Sequence, residues 1–182
     1  MLLPPHGFSR RAFLTTAVMA VPMLSAPVAA LASSMEKRSV SFVHTHTGEQ
    51  LTTTYFRAGQ YDTSSIARVN YLLRDFRCGE VASMDVGLLD ILYDLQVLAD
   101  RDSTFEIISG YRAPATNAQL RAKSGGVAEK SLHMEAKALD IRMTGFSTKK
   151  LQQLAMSLRR GGVGFYGSSN FVHVDTGRVR YW

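Results

Sequence analysis

Apolar and β-branched residues first gather in two short runs, Val40-Ser-Phe-Val-His44 and Leu51-Thr-Thr-Thr-Tyr-Phe56. The polar segment Thr45-His-Thr-Gly-Glu49 separates them, and such runs around a glycine-bearing turn predict a β-hairpin. From Thr63 the spacing becomes helical. Ile66, Val69, Leu72, Leu73 and Phe76 fall on one face, Thr63 or Ser64 is suited to cap the start, and Gly79 follows Cys78 as a stop. Asp85 is placed to cap a second helix, whose stripe of Leu88, Leu89, Leu92, Leu95 and Leu98 is assigned to the core.

Phe105-Glu-Ile-Ile108 predicts a short strand that runs into Ser109-Gly-Tyr-Arg112. Pro114 suits the first turn of a helix reaching about Lys123, and Ser124-Gly-Gly126 breaks it and opens a loop. Ala138 to Met143 reads as a strand. Ser147 or Thr148 then caps a helix carrying Leu151, Leu154, Ala155 and Leu158, with Gly161-Gly162 expected to close it. Val163-Gly-Phe-Tyr166 and Phe171-Val-His-Val-Asp175 form an expected antiparallel pair joined by Gly167 to Asn170. No internal repeat or linker interrupts this series. The pattern predicts one α+β domain, an antiparallel sheet with flanking helices.

Residues 1–32 stand apart and read as a targeting segment. Ser9-Arg10-Arg11-Ala12-Phe13-Leu14 has the twin-arginine pattern, an apolar run follows, and Ala30-Leu31-Ala32 offers a small-x-small cleavage site before Ser33. The expected organisation is therefore a signal peptide at 1–32 and a single domain at 33–182. The twin-arginine machinery would export it already folded to the periplasm.

Composition narrows the classes. The chain has 182 residues, 46% hydrophobic and 20% charged, enough for one domain with its own core. No stretch is long and apolar enough to cross a membrane. The net charge of +6 includes Arg10 and Arg11, so 19 basic residues face 15 acidic ones after the leader. That mild excess is scattered and not interleaved with aromatics, and no nucleic-acid partner is expected. It would favour adhesion to an anionic polymer such as a cell wall. Cys78 is the only cysteine, which excludes an intrachain disulfide and a thiolate metal cluster.

The chemistry-bearing residues concentrate in two places. Ser131-Leu-His133 leads through Glu135 to Asp140 on an expected strand, and His173 sits within the last apolar run. Two imidazoles and one carboxylate suit Zn²⁺ and leave a coordination position open for water. Spacing alone does not decide the matter, since isolated histidines and aspartates are commonly surface or hydrogen-bonding residues.

The motifs add a resemblance. Ser131-x-His133-x-x-Ala136-x-Ala138-x-Asp140 is similar to the Ser-x-His-x-x-Gly-x-Ala-x-Asp signature of the zinc D-Ala-D-Ala carboxypeptidases and VanX-type dipeptidases. Ser109-Gly-Tyr-Arg112 matches their Ser-x-Tyr-Arg element. The chain more closely resembles the YcbK-like murein endopeptidases (MepK). The shared features are the leader, His46-Thr-Gly-Glu49, Ile108-Ser-Gly-Tyr-Arg112, Arg160-Gly-Gly-Val-Gly164 and Asn170-Phe-Val-His-Val-Asp-Thr-Gly177.

The resemblance implies a Hedgehog/DD-peptidase-like fold, zinc held by His133, Asp140 and His173, and hydrolysis of peptide cross-links of peptidoglycan. It leaves open whether the bond joins D-alanine to diaminopimelate or two diaminopimelates. Arg112 would sit near the developing oxyanion or bind a substrate carboxylate, with a structural ion pair as its alternative. Ser131, Tyr111 and Asn170 are expected at the substrate, although packing in the core is as open for Tyr111. Many of these peptidases carry an acid three residues before the last histidine ligand, where this chain has Asn170. Asp175, two residues after His173 on the same strand face, is the substitute candidate for general base. It could instead anchor the following turn or orient a ligand.

Other features carry less. His44 and His46 lack a nearby third ligand and are expected at the surface. Gly161-Gly-Val-Gly164 follows a helix instead of opening one, so it is not a phosphate-binding loop. Cys78, expected at a helix C-terminus where the dipole disfavours a thiolate, is a poor catalytic nucleophile. A reading from another class is a non-catalytic wall-binding or partner-activating domain with structural zinc, supported by Asn170 in place of an acid.

Overall fold

The structure is a computed structural model and describes residues 36–182; the expected leader at 1–32 lies outside the described residues. The hairpin forms as expected, from β1 (Lys37–His44) and β2 (Gln50–Arg57), followed by a two-residue strand β3 (Gln60–Tyr61). Helices α1 (Thr63–Leu72) and α2 (Val86–Leu98) come next, then β4 (Thr104–Ser109) and α3 (Pro114–Lys123). The chain continues through β5 (Ala138–Met143), α4 (Thr148–Leu158), β6 (Gly162–Tyr166), β7 (Phe171–Asp175) and β8 (Arg180–Tyr181). The described strands form one sheet in the order β3-β2-β1-β4-β5-β7-β6-β8. The α+β class holds, but the sheet is mixed: β1 pairs with β4, and β6 with β8, in parallel.

Strand alternation separates core from site. Leu139 and Ile141 of β5, and Val172 and Val174 of β7, join the buried cluster with α2 leucines and Leu151 and Ala155 of α4. Asp140 and His173 alternate with them and therefore project to the other face, paired across the two strands. The helices thus supply a rigid backing for the strands that bear the site. No helix among the described residues is long and apolar enough to cross a membrane.

Several expectations need correction. Asp62, not Thr63 or Ser64, caps α1, accepting from the amides of Ser64 and Ser65. The helix ends at Leu72 and does not extend through Phe76, because the chain wraps around Asp75. That buried carboxylate accepts from the amides of Arg77 at 3.1 Å and Ala113 at 2.9 Å. Cys78 consequently lies exposed in a turn and not at the end of α1, with its sulfur 4.0 Å from the Thr116 hydroxyl in the first turn of α3. Leu98 is exposed at the last turn of α2. The last helix stops at Arg159, which adopts φ +53°, before the glycines expected to end it.

His44 is buried, against its expected surface position. It closes β1, and its Nδ1 accepts from the amides of His46 at 3.2 Å and Thr47 at 3.4 Å, holding the hairpin turn. His46 remains exposed and stacks on Phe76 with 4.3 Å between ring centres.

Candidate metal centre

His133, Asp140 and His173 converge: one ligand atom from each lies within 4.8 Å of the others. A short 3-10 turn, Leu132–Glu135, presents His133, while the pairing of Asp140 with His173 across β5 and β7 presents the other two. The turn ends at Ala136 in the left-handed region, φ +56°, at the position where the zinc peptidase signature has glycine. Alanine is accommodated there, and the histidine-bearing turn keeps its shape.

Hydrogen bonds assign each imidazole an inward nitrogen. Nδ1 of His133 donates to the carbonyl of Gly110 at 2.8 Å, which leaves the lone pair on Nε2, 3.3 Å from Asp140 Oδ1. His173 is reversed: Nε2 donates to Asp175 Oδ2 at 3.1 Å, and Nδ1 lies 2.9 Å from Asp140 Oδ1. Outer hydrogen bonds of this kind fix tautomer and ring orientation in histidine metal sites.

The electrostatics also fit a cation. Asp140 is only 7% exposed, and its ion-pair partners among the described residues are the two imidazoles. Burial opposes ionisation of Asp140, but His133 and His173 outweigh it and hold the carboxyl well below the usual range. Burial likewise opposes charge on His173, yet Asp140 and Asp175 together raise its pKa. A buried carboxylate whose ion-pair partners among the described residues are imidazoles alone is a position that a bound cation satisfies. Two imidazole nitrogens and one carboxylate oxygen, opening on a cleft, make a donor set able to hold a metal ion.

Asp175 has no solvent exposure. Its Oδ1 accepts from the amides of Gly162 at 3.0 Å and Gly177 at 2.8 Å. Arg180 grips both oxygens, at 3.0 and 2.7 Å. With His173 on Oδ2, both oxygens are occupied, and burial, which would raise the pKa, is outweighed so that it falls well below the usual carboxylate range.

The cleft, about 290 Å³, is lined by Arg112, Lys130, Ser131, the three converging residues, Tyr166, Phe171, Arg180 and Trp182 among others. Arg112 is held loosely, donating to Asn117 Oδ1 at 3.3 Å and Ser109 Oγ at 3.4 Å, and its buried Nε has no partner. Burial lowers its pKa. No carboxylate among the described residues forms an ion pair with it, contrary to a structural-pair role.

Tyr111 and Asn170 sit elsewhere. The Tyr111 ring is buried, its hydroxyl donates to Glu80 at 2.7 Å, and that bond pushes its pKa up to about 12. Asn170 occupies the β6–β7 turn at φ +52°, takes a hydrogen bond from Thr148, and lines a separate cleft with Glu106 and Arg142.

Sequence reasoning missed Arg180 and Trp182. The signal was present in Gly162 and Gly164, two glycines within one strand, which mark close approach of another group. A Cβ at Gly162 would collide with the Arg180 guanidinium and Asp175 Oδ2, and one at Gly164 with the indole of Trp182.

A family described as peptidoglycan L,D-endopeptidase MepK matches residues 32–182. The peptidoglycan L,D-endopeptidase MepK of Escherichia coli strain K12 is 40% identical over 160 residues, 88% of each chain. The probable peptidoglycan L,D-endopeptidase MepK of Haemophilus influenzae is 39% identical over 165 residues, 90% of this chain and 89% of its own. The matched span takes in the turn bearing His133, the β5–β7 pair and the Gly162 platform alike, and on that footing the chain belongs to the MepK family.

Proposed function

We propose that this protein is a zinc-dependent peptidoglycan endopeptidase, built on a fold of the Hedgehog/DD-peptidase type, that cuts cross-links between two diaminopimelate residues in the periplasm. The observation that carries the reading is the convergence of His133, Asp140 and His173, with both imidazoles oriented from behind, in a chain of this family. The name L,D-endopeptidase borne by the relatives favours the diaminopimelate–diaminopimelate bond, which joins an L-centre carbonyl to a D-centre amine. The twin-arginine pattern at Arg10-Arg11 supports export.

Zn²⁺ held by the three residues would supply Lewis acidity, lowering the pKa of water and polarising a carbonyl. Arg112 brings a permanently charged fork to the same cleft, suited to an oxyanion or a substrate carboxylate. Ser131 offers a hydroxyl at the rim for substrate binding. Asp175 orients His173 and does not take up a proton, since its lone pairs are engaged.

The deciding experiment is digestion of purified cross-linked muropeptides by zinc-loaded protein, beside the chelated protein and His133→Ala. Monomers released only by the loaded wild type are expected, and their structure names the bond. A second reading, a wall-binding domain with structural zinc, draws on one observation: Asp140 is the only carboxylate among the described residues lining the cleft. Stoichiometric zinc without cleavage is the result that would replace the first reading with the second.

A further inference from the structure

Three aromatic side chains line the cleft: Tyr166, Phe171 and Trp182. The indole of Trp182 lies beside the converging residues, with 5.3 Å between its ring and that of His173, yet it remains 48% exposed. It is nevertheless fixed. Its Nε1 donates to the Tyr166 hydroxyl at 3.1 Å, and Tyr166 stacks on Phe171 with 4.5 Å between ring centres. The Arg180 guanidinium lies 4.9 Å from the indole centre. The Trp182 amide donates to the Val163 carbonyl at 3.2 Å, and the Trp182 main-chain oxygen accepts from the Phe165 amide at 3.0 Å. Gly164 lies against the ring, which occupies the space a Cβ would need.

An indole anchored so fully, and still half in water, presents a preformed apolar surface to whatever enters the cleft. The charges around it indicate the visitor. Among the described residues, Arg112 and Lys130 line the same cleft against the single carboxylate Asp140. The chemistry that matches is an aliphatic stem ending in a free carboxylate. A diaminopimelate residue has that form, so the inference rests on the peptidoglycan reading.

We propose that Trp182 is a specificity-determining residue that contacts substrate, its exposed face packing on the methylene chain of a diaminopimelate side chain. Lys130 and Arg112 then meet the carboxylate at the end of that chain. Replacing the long stem by a methyl group removes the surface the indole covers, which discriminates a diaminopimelate peptide from an alanine one.

Trp182 is the only tryptophan in the chain, so its fluorescence reads this position directly. Zinc-loaded protein is titrated with an uncross-linked stem tetrapeptide containing diaminopimelate, and with the same peptide carrying alanine there. Calorimetry measures binding independently. The diaminopimelate peptide is expected to shift the emission and shield Trp182 from acrylamide, and the alanine peptide to bind at least about tenfold more weakly. In muropeptide digestion, Trp182→Ala is expected to raise KM about tenfold with kcat within about twofold, and Trp182→Phe to recover most of the loss.

Binding of the diaminopimelate peptide with unchanged emission and quenching overturns the proposal, as does equal binding of both peptides or binding of neither. Zinc content is measured on each variant, and the wild-type titration stands even if Trp182→Ala does not fold. Shielding of Trp182 without cross-link cleavage removes the endopeptidase reading but keeps this contact. Cleavage by Trp182→Ala at the wild-type KM does the reverse.

Discussion

Asp175 Oδ2 lies 3.1 Å from Nε2 of His173, and this bond turns the opposite nitrogen of the ring toward Asp140. The carboxylate is itself immobilised by Arg180 and by the amides of Gly162 and Gly177. On the proposed reading, burial and full occupation of its oxygens suit it to support His173 as a ligand. The two candidate roles of Asp175 predict different measurements. Asp175→Ala is expected to weaken zinc binding about 10- to 100-fold, read by competition with a chromophoric chelator, and excess zinc should restore part of the lost activity. A general base would leave zinc affinity near wild type and lower kcat at every zinc concentration.

Gly162→Ala tests the platform under that support. The added methyl group would collide with both Asp175 Oδ2 and the Arg180 guanidinium, between strands that leave little room to shift. Overpacking of this type costs about 1–3 kcal/mol. A fall in unfolding free energy of that size, with weakened zinc binding, is expected from denaturant titration. Unchanged stability together with unchanged zinc affinity would show that the clamp has slack.

Much of this arrangement was legible in the sequence because it depends on short-range pattern. Alternation in Ala138–Met143 and Phe171–Asp175 gave both strands and the shared face of His173 and Asp175, while the place of Asp140 beside them rested on the family resemblance. What escaped was pairing between distant segments. Nothing local announces that β8 adds in parallel to β6. Nor does a helical pattern through Phe76 reveal that a buried Asp75, bonded to the amide of Ala113 far along the chain, ends the helix early. His44 was misplaced for a related reason: its burial follows from backbone donors in its own turn and from Phe76 across the fold.

Asp75 gives a pH-dependent prediction. Burial opposes its ionisation, but the Thr116 hydroxyl and the amides of Ala113 and Arg77 outweigh it, so the folded pKa lies below the ordinary 3.8. A depressed carboxyl pKa contributes stability that is present above the unfolded value and is lost as pH falls through the folded one. Asp75→Asn puts a donor where the folded chain needs an acceptor, at a cost of about 1–3 kcal/mol near neutrality. Urea titrations should show that gap at pH 7 and its narrowing below about pH 4. A gap that is constant across this range would mean the charge of Asp75 contributes nothing.

Removal of metal probes Asp140 from the opposite direction. The buried carboxylate has only imidazoles for ion-pair partners among the described residues, so a bound cation supplies the missing counter-charge. Free zinc at 100 times its Kd should stabilise the fold by about 2.7 kcal/mol, which for a domain of this size raises Tm by roughly 5–10 °C. Asp140→Asn should lose most of that increment. Without metal it should itself be less stable than the wild type near neutrality, because the imidazoles hold the folded carboxyl below its usual pKa and the neutral amide lacks that contribution. Differential scanning calorimetry of both proteins, with zinc and with chelator, gives the four transitions needed. A variant that retained the whole zinc increment would put the stabilising metal away from Asp140.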